Sequence, residues 1–338
     1  MTGIGEAWGP GAAVMGYLET VKSFYLGQPV SNARQVWHRV AASLYHHGIH
    51  GPLSWLLSGV DLALHDIAGK LAGVPVHELF GGAVHEHLPV YASGGYFTRD
   101  LDRDLDAQLD ALQNEQKGRS FSALKIKIGA SVQSDVDRCS RVRERFPDWD
   151  LIVDANGNYT TDPALASMQA LAPFNVLWYE EPLAPTDLDG YRQLHARAPF
   201  ALSAGEAHYS AVEFDRLLTP RCIDIAQPDV TKCGGLSQAR LIAQLCTLRH
   251  AQLSPHAWGG AIGFTAALHL LAAQPDYPHS MHLPRPRYLE FDIGHNPLRD
   301  ELLLNPPTPE NGMVPVPMGL GLGVELNPDT VARYRVDP

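Results

Sequence analysis

Six polar residues stand at nearly equal intervals through the chain: Lys127, Asp154, Glu180, Glu206, Asp229 and His256, each 23 to 27 residues after the last. Each lies within two residues of the end of a short apolar run: Ala123–Gly129, Leu151–Ala155, Val176–Glu180, Ala201–Ala204, Ile223–Gln227 and Gln252–Ser254. Runs of this length, bounded by Gly, Pro and polar clusters, read as buried strands. The stretches between them carry apolar residues at helical spacing. One strand and its following helix fill one interval, so every polar residue lands on the same rim. Adding Val90–Tyr96 before and Ser280–Leu283 after gives eight strands alternating with helices. Alternation implies a parallel sheet, and eight units imply a closed barrel with its functional groups at the C-terminal strand ends.

The 338 residues suffice for such a barrel plus a smaller unit. Residues 1–88 read as that unit, with a short opening strand and helices over Ala12–Gly27, Asn32–His47 and Leu53–Gly73. Residues 89–300 read as the barrel, and 301–338 as a Pro- and Gly-rich segment with a short strand and helix returning to the first unit. Gly319-Leu-Gly-Leu-Gly323 resembles a dinucleotide loop, but no long helix follows, so it reads as a turn. A net charge of −11 argues against nucleic acid and anionic membrane as partners, though not against a small anion. The N-terminus lacks the basic and apolar regions of a signal peptide. The most apolar run, Gly260–Ala273, is too short to span a bilayer. Four cysteines without a CxxC pair fit a reducing, cytoplasmic setting.

Lys125 and Lys127 are two apart on one strand, so they share a face. Adjacent ammonium groups in an apolar strand are expected to depress each other's pKa, which makes a base; alternatively both reach into water from a strand edge. Asp154, Glu180 and Glu206 come from adjacent strands. All-oxygen ligation of this kind suits Mg²⁺ first and Mn²⁺ second, against the simpler reading of ion pairs with barrel lysines and arginines. His256 and Asp229 end neighbouring strands, and a carboxylate beside an imidazole fixes its tautomer and raises its basicity. Glu290, read as following strand eight, could donate to a developing oxyanion if held protonated, or lie on the surface. Two bases flanking a metal site suit removal of a proton next to a carboxylate through a metal-stabilised enediolate.

These residues resemble the enolase superfamily, mandelate racemase subgroup, from about Gly3 to the C-terminus. The likeness rests on Lys125-x-Lys127, Asp154-x-Asn156, Glu180-x-Pro182, Gly205-Glu206, Asp229 and His256, in order. It implies an α/β fold, a modified TIM barrel (β/α)7β under an N-terminal α+β cap. It implies Lys127 as S-face base with Lys125 tuning it. Asp154, Glu180 and Glu206 would hold Mg²⁺ with Asn156 beside them and Glu181 the lesser candidate. His256–Asp229 would be the R-face dyad, and Glu290 would face the substrate carboxylate. A muconate-cycloisomerase type would carry a lysine where the histidine strand stands here; Asp229 followed by His256 disfavours that subgroup. Leu289-Glu-Phe-Asp-x-x-x-Asn-Pro-Leu-Arg299 and the Gly5-Glu-x-x-Gly-Pro10 opening are closer to sugar-acid enzymes, galactarolactone cycloisomerases above all. Family members begin with a strand or two ahead of the Gly-x-Gly-Glu segment. This chain opens almost at Gly3, so the cap is expected to be truncated.

The function expected is Mg²⁺-dependent proton abstraction from a sugar acid or its lactone, by a cycloisomerase or acid-sugar dehydratase. A racemase or epimerase of a 2-hydroxy acid, a zinc-dependent barrel hydrolase using His85-x-His87, and a non-catalytic metal-binding barrel remain open. Polar candidates for a small-molecule carboxylate substrate are Ser93, Tyr96, His46, His47, His50 and His208. The resemblance implies a homo-oligomer.

Overall fold

The computed structural model describes residues 1–98, 101–276 and 287–336, without the side chains of 101–103 and 115–119. Three helices come first: α1 (Gly11–Tyr25), α2 (Ala33–Ser43) and α3 (Pro52–Ala72). Pro52 opens α3 at a position whose N–H has no helical partner. Gly73, at φ +73°, closes it in the left-handed conformation that favours glycine. Val21, Val36, Val40, Leu53 and Leu57 pack these helices into a core of their own.

Strand and helix then alternate: β1 (His87–Ser93), α4 (Leu101–Arg119), β2 (Ala123–Lys127), α5 (Val132–Arg145), β3 (Asp150–Asp154), α6 (Thr161–Leu171) and β4 (Val176–Glu180). The series continues with α7 (Leu188–His195), β5 (Ala201–Ala204), α8 (Ser210–Leu218), β6 (Ile225–Ala226), α9 (Gly235–Arg249), β7 (Gln252–Leu253), α10 (Ala261–Ala272) and β8 (Leu289–Asp292). Then come α11 (Pro297–Asp300), β9 (Met313–Pro315) and α12 (Pro328–Tyr334).

The eight parallel strands lie in the order β7-β6-β5-β4-β3-β2-β1-β8. This is the sequence order of a barrel, with β7 and β8 at the two margins. A buried hydrogen bond from Ser254 Oγ to Tyr288 O, 2.7 Å, spans that seam. Among the described residues seven α-helices separate the eight strands, which is the (β/α)7β pattern. The expected eighth strand, Ser280–Leu283, lies outside the described residues; the eighth strand of the sheet is β8, so Glu290 is within a strand and not beyond it.

The two-residue period of a strand sorts every side chain. On β2, Leu124 and Ile126 face the helices, while Ala123, Lys125 and Lys127 face the barrel axis. Ile152, Trp178, Tyr91 and Tyr288 fill the lower interior on the same parity. Lys127, Asp154 and Glu180 are rungs of adjoining ladders, Lys127 opposite Asp154 and Asp154 opposite Glu180, so they stand at one height.

Residues 1–10 form no strand; they run as a strap across the helices. Ile4 N–H donates to Asp66 Oδ2 and Trp8 N–H to Thr231 O. Gly3 and Gly5 press so closely on α3 that a Cβ would lie 2.1 and 2.0 Å from its carbonyls. Glu6 reaches the first turn of α10, accepting from Gly260 N at 2.5 Å and Gly263 N at 2.9 Å. Among the described residues of 1–86 there is no strand.

The tail returns to the cap: β9 pairs antiparallel with β1, and Val76 N–H donates to Gly321 O at 2.8 Å. Gly321 is a turn residue, at φ +68° and tight against Asp66. Beneath it His77 and His269, both fully buried, meet through their Nδ1 atoms at 3.1 Å, and His269 Nε2 lies 3.1 Å from Leu322 O. No helix among the described residues is long and apolar enough to cross a membrane.

Candidate active site

The inward-facing rungs open into a cavity of about 260 Å³ at the C-terminal strand ends. Of the residues expected from sequence, Tyr96, Lys127, Asn156, Glu206, His256 and Glu290 line it. Asp154 and Glu180 lie just beneath. One carboxylate oxygen each from Asp154, Glu180 and Glu206 fall within 4.8 Å of one another.

Lys125 is buried beneath this cage, 2.6 Å from Glu180 Oε1, 2.8 Å from Glu290 Oε1 and 3.6 Å from Asp154 Oδ2. Lys127 pairs with Asp154 Oδ2. These pairings reverse the expectation of depressed lysine pKa values. Burial works against the charge on Lys125, but Glu180, Glu290 and Asp154 hold its pKa well above the ordinary value. Lys127 is likewise raised: burial and Lys125 push it down, and Asp154 outweighs them. Mutual repulsion between two amines is the smaller effect where three carboxylates surround them.

Across the cavity His256 Nδ1 is 2.8 Å from Asp229 Oδ2, and Nε2 is 3.0 Å from Glu206 Oε2. Thr231 secures Asp229 by donating N–H and Oγ1 to Oδ1. Burial opposes charge on His256, yet Glu206, Glu290 and Asp229 raise it to about 10. Glu290 accepts from Ala257 N at 3.0 Å. Burial alone would raise its pKa, but Lys125 and then His256 pull it down to about 2. Lys125 and His256 thus favour the charged form of Glu290 rather than a protonated donor, and its burial removes the surface alternative.

Glu181, next in sequence to Glu180, is outside the three-carboxylate cluster but feels its charge. It sits at φ +39° with Oε1 buried and unpartnered. Burial, then Glu206, Asp154 and Glu180, push it well above the usual carboxyl range. Glu180 is raised to about 7 by burial, against Lys125, with Asp154 and Glu290 adding. Crowded, desolvated carboxylates in an all-oxygen set fit a hard divalent cation, whose charge would offset this repulsion.

Three lining residues were not expected from sequence: Trp8, Lys232 and Trp258. Lys232 Nζ lies 3.9 Å from the centroid of Trp8 and 3.7 Å from Asp229 Oδ2. Trp258 Nε1 donates to Tyr96 Oη at 3.2 Å, and its ring centroid is 5.7 Å from that of Trp8. Tyr96 in turn donates to Asp292, which Arg299 Nη1 holds at 2.6 Å. The positions of Lys232 and Trp258, three and two residues past Asp229 and His256, point to the same mouth. Nothing near Trp8 in sequence shows that the strap crosses the barrel.

His46 and His47 are exposed on the turn Tyr45–His47, outside the cavity lining. The loop between α2 and α3 turns them outward, so substrate contact there loses its basis. His50 stacks on Tyr209, and buried His208 lies 3.2 Å from Pro185 O; neither lines the cavity. Ser93 is buried below it and contributes its carbonyl to Tyr96. His85 pairs with Asp276, and His87 begins β1 at the opposite end of the barrel. Among the described residues the only convergent His, Cys, Asp or Glu cluster is Asp154–Glu180–Glu206, which removes the basis of the zinc reading.

Residues 104–330 match the enolase C-terminal domain-like family, and residues 1–81 match the N-terminal domain of mandelate racemase / muconate lactonizing enzyme. The chain belongs to the enolase superfamily, mandelate racemase subgroup. Among its superfamily relatives, D-galactarolactone cycloisomerase of Agrobacterium fabrum is 35% identical over 99% of this chain and 89% of its own. Arabinonate dehydratase of Saccharolobus solfataricus is 30% identical over 98% of this chain and 87% of its own. A Streptomyces coelicolor racemase crystallised with bound magnesium superposes with a TM-score of 0.84, at 28% identity, over 97% of this chain and 85% of its own.

Proposed function

We propose that this chain is a Mg²⁺-dependent isomerase or lyase that removes the proton α to the carboxylate of a sugar acid or its lactone and expels a β-oxygen. One observation carries the reading: Lys127 and His256 line a single cavity, each paired with a different acid of the same three-carboxylate cage. Asp154, Glu180 and Glu206 are the proposed metal ligands. A cation held there supplies positive charge to the substrate carboxylate as the α-carbon loses its proton.

The chain's own groups do the rest. The amine of Lys127 and the imidazole of His256 address the α-carbon from opposite sides. The carboxylate charge that raises Lys127 and His256 would be offset by a cation on Asp154 and Glu206, which favours a free base on one of them. That group takes the proton, and the C–H electron pair becomes the Cα=Cβ bond. The β-carbon–oxygen bond breaks, and the second group, in its acid form, protonates the leaving oxygen. A leaving hydroxyl departs as water, which is dehydration; a leaving ring oxygen stays attached, which is cycloisomerisation. Asp229 holds the His256 ring by Nδ1, and Asn156 and Tyr96 bound the space for the sugar hydroxyls. The names of the relatives, a cycloisomerase and a dehydratase, support this pair of outcomes.

The test is solvent deuterium entry at the α-carbon with Mg²⁺ present, across mono- and diacid sugars and their lactones. Exchange or turnover with a subset, altered face by face in Lys127→Ala and His256→Asn, supports the reading. An epimer as sole product replaces elimination with racemisation. No exchange with any of them leaves a metal-binding barrel without turnover and overturns it.

A further inference from the structure

We propose that Arg138 is the positioning residue for Lys127, acting through the main chain. This rests on Lys127 being a base, as proposed above.

The β1–β2 ladder ends at Ser93 opposite Lys125, two residues short of Lys127. Beyond that rung the chain leaves β1 through Gly94 and Gly95. Gly95 turns at φ +58°, so near Ile126 that a Cβ would lie 2.7 Å from its Cγ2. The base would therefore stand at a strand end with a registered rung on one side, opposite Asp154 of β3, and on the other only the bond from its own N–H to Gly95 O beyond the last rung.

Arg138, on α5, closes the other side. Its Nε donates to Lys127 O at 2.7 Å. Its Nη2 donates to Gly95 O at 2.5 Å, and Gly95 O also accepts from Lys127 N at 3.2 Å. One guanidinium thus holds both the carbonyl of Lys127 and the carbonyl that receives its amide. Arg138 is fully buried, an expensive place for a guanidinium that a leucine or methionine could fill. Two carbonyls at fork spacing suit arginine, which presents several donors in one rigid plane, and its guanidinium also lies 5.4 Å from the centroid of the Phe97 ring. The same clamp fixes the segment that carries Tyr96 to the cavity wall. A base displaced by about 1 Å loses about 100-fold in rate, so backbone support at this one residue matters for proton transfer.

The experiment uses the full chain with Arg138→Met, which removes both donors at similar length, and Arg138→Lys, which restores a donor. Three quantities are read: Mn²⁺ affinity, thermal midpoint, and α-proton exchange with Mg²⁺ for two sugar acids epimeric at the α-carbon. Lys127→Ala and His256→Asn assign each epimer to a face. Arg138→Met is expected to slow exchange on the Lys127 face by about 100-fold, while the His256 face stays within about threefold and Mn²⁺ affinity is unchanged. Arg138→Lys is expected to recover part of the loss. Equal losses on both faces, a parallel loss of Mn²⁺ affinity, or no loss overturn the proposal. Should Arg138→Met not fold, Arg138→Gln carries the same comparison. Wild-type protein that exchanges neither epimer overturns the proposed function itself. Exchange on the His256 face alone removes Lys127 as a base, and the role of Arg138 with it, while leaving the dyad standing.

Discussion

Lowering the pH from 7 to 5 is expected to destabilise the fold through His269, by an amount the structure sets. His269 Nε2 faces the Leu322 carbonyl, which can only accept, so Nε2 carries the proton. Its Nδ1 is then a bare acceptor for the Nδ1–H of His77. A second proton on His269 would meet that donor head on. Burial lowers the His269 pKa from 6.5 to about 4; Leu322 O and Asp66 oppose the shift, and His77 adds to it. Between these values the unfolded chain holds a proton that the folded chain lacks, so stability falls as pH drops through the window. Integrated from pH 7 to pH 5, the loss is about 2 kcal/mol, or roughly 3 °C in midpoint for a chain this long. His77, also lowered by burial, acts in the same direction. Urea unfolding followed by tryptophan fluorescence at both pH values, in wild type and His269→Gln, isolates the contribution. The glutamine amide can still donate to Leu322 O but does not titrate. The variant should lose about 2 kcal/mol less than wild type across the interval. Equal losses in the two proteins would refute the assignment of protons within the pair.

Other outcomes follow from the site and its supports. Saturating Mg²⁺ or Mn²⁺ should raise the thermal midpoint by roughly 4 °C at a hundred times Kd, and Glu206→Gln should remove that increment in a calorimetric scan. Gly205 sits at φ +149°, with a Cβ 2.8 Å from the Gln227 backbone. Gly205→Ala should therefore cost about 2 kcal/mol in denaturant and weaken Mn²⁺ binding by shifting Glu206. Asp135 accepts from Gly129 N, Tyr159 Oη and Ser167 Oγ, joining the β2 and β3 loops. Asp135→Asn, which turns one acceptor into a donor, should cost about 1–3 kcal/mol by the same measurement.

The barrel was legible because its signals are local. Alternating runs set the strands, and the two-residue period puts Lys125 and Lys127 on one face. Leu289-Glu-Phe-Asp292 is a strand that the sequence pattern does not announce, because it is short and half polar. Its polar members face inward, so it reads as a loop in sequence. The sign of the lysine pKa shifts depended on Glu180, Glu290 and Asp154, which are distant in the chain and meet only across the barrel. Sequence supplied the charges but not their distances. His46 and His47 lie exposed and outside the cavity lining, on the α2–α3 turn, and turn direction leaves little trace in composition. Trp8 escaped notice for the opposite reason: an irregular strap carries no periodicity.

The joint between β7 and β8 gives the two sides of the cavity unequal freedom. Lys127 is locked to a neighbour rung by rung, whereas His256 and Glu290 flank a joint bridged by a side chain. An imidazole there can be retuned by a small slide of one margin, without dragging a whole ladder out of step. Under the proposed function, a change in which face of a sugar acid is deprotonated would be easier to acquire on the imidazole side, with the amine side as the fixed reference.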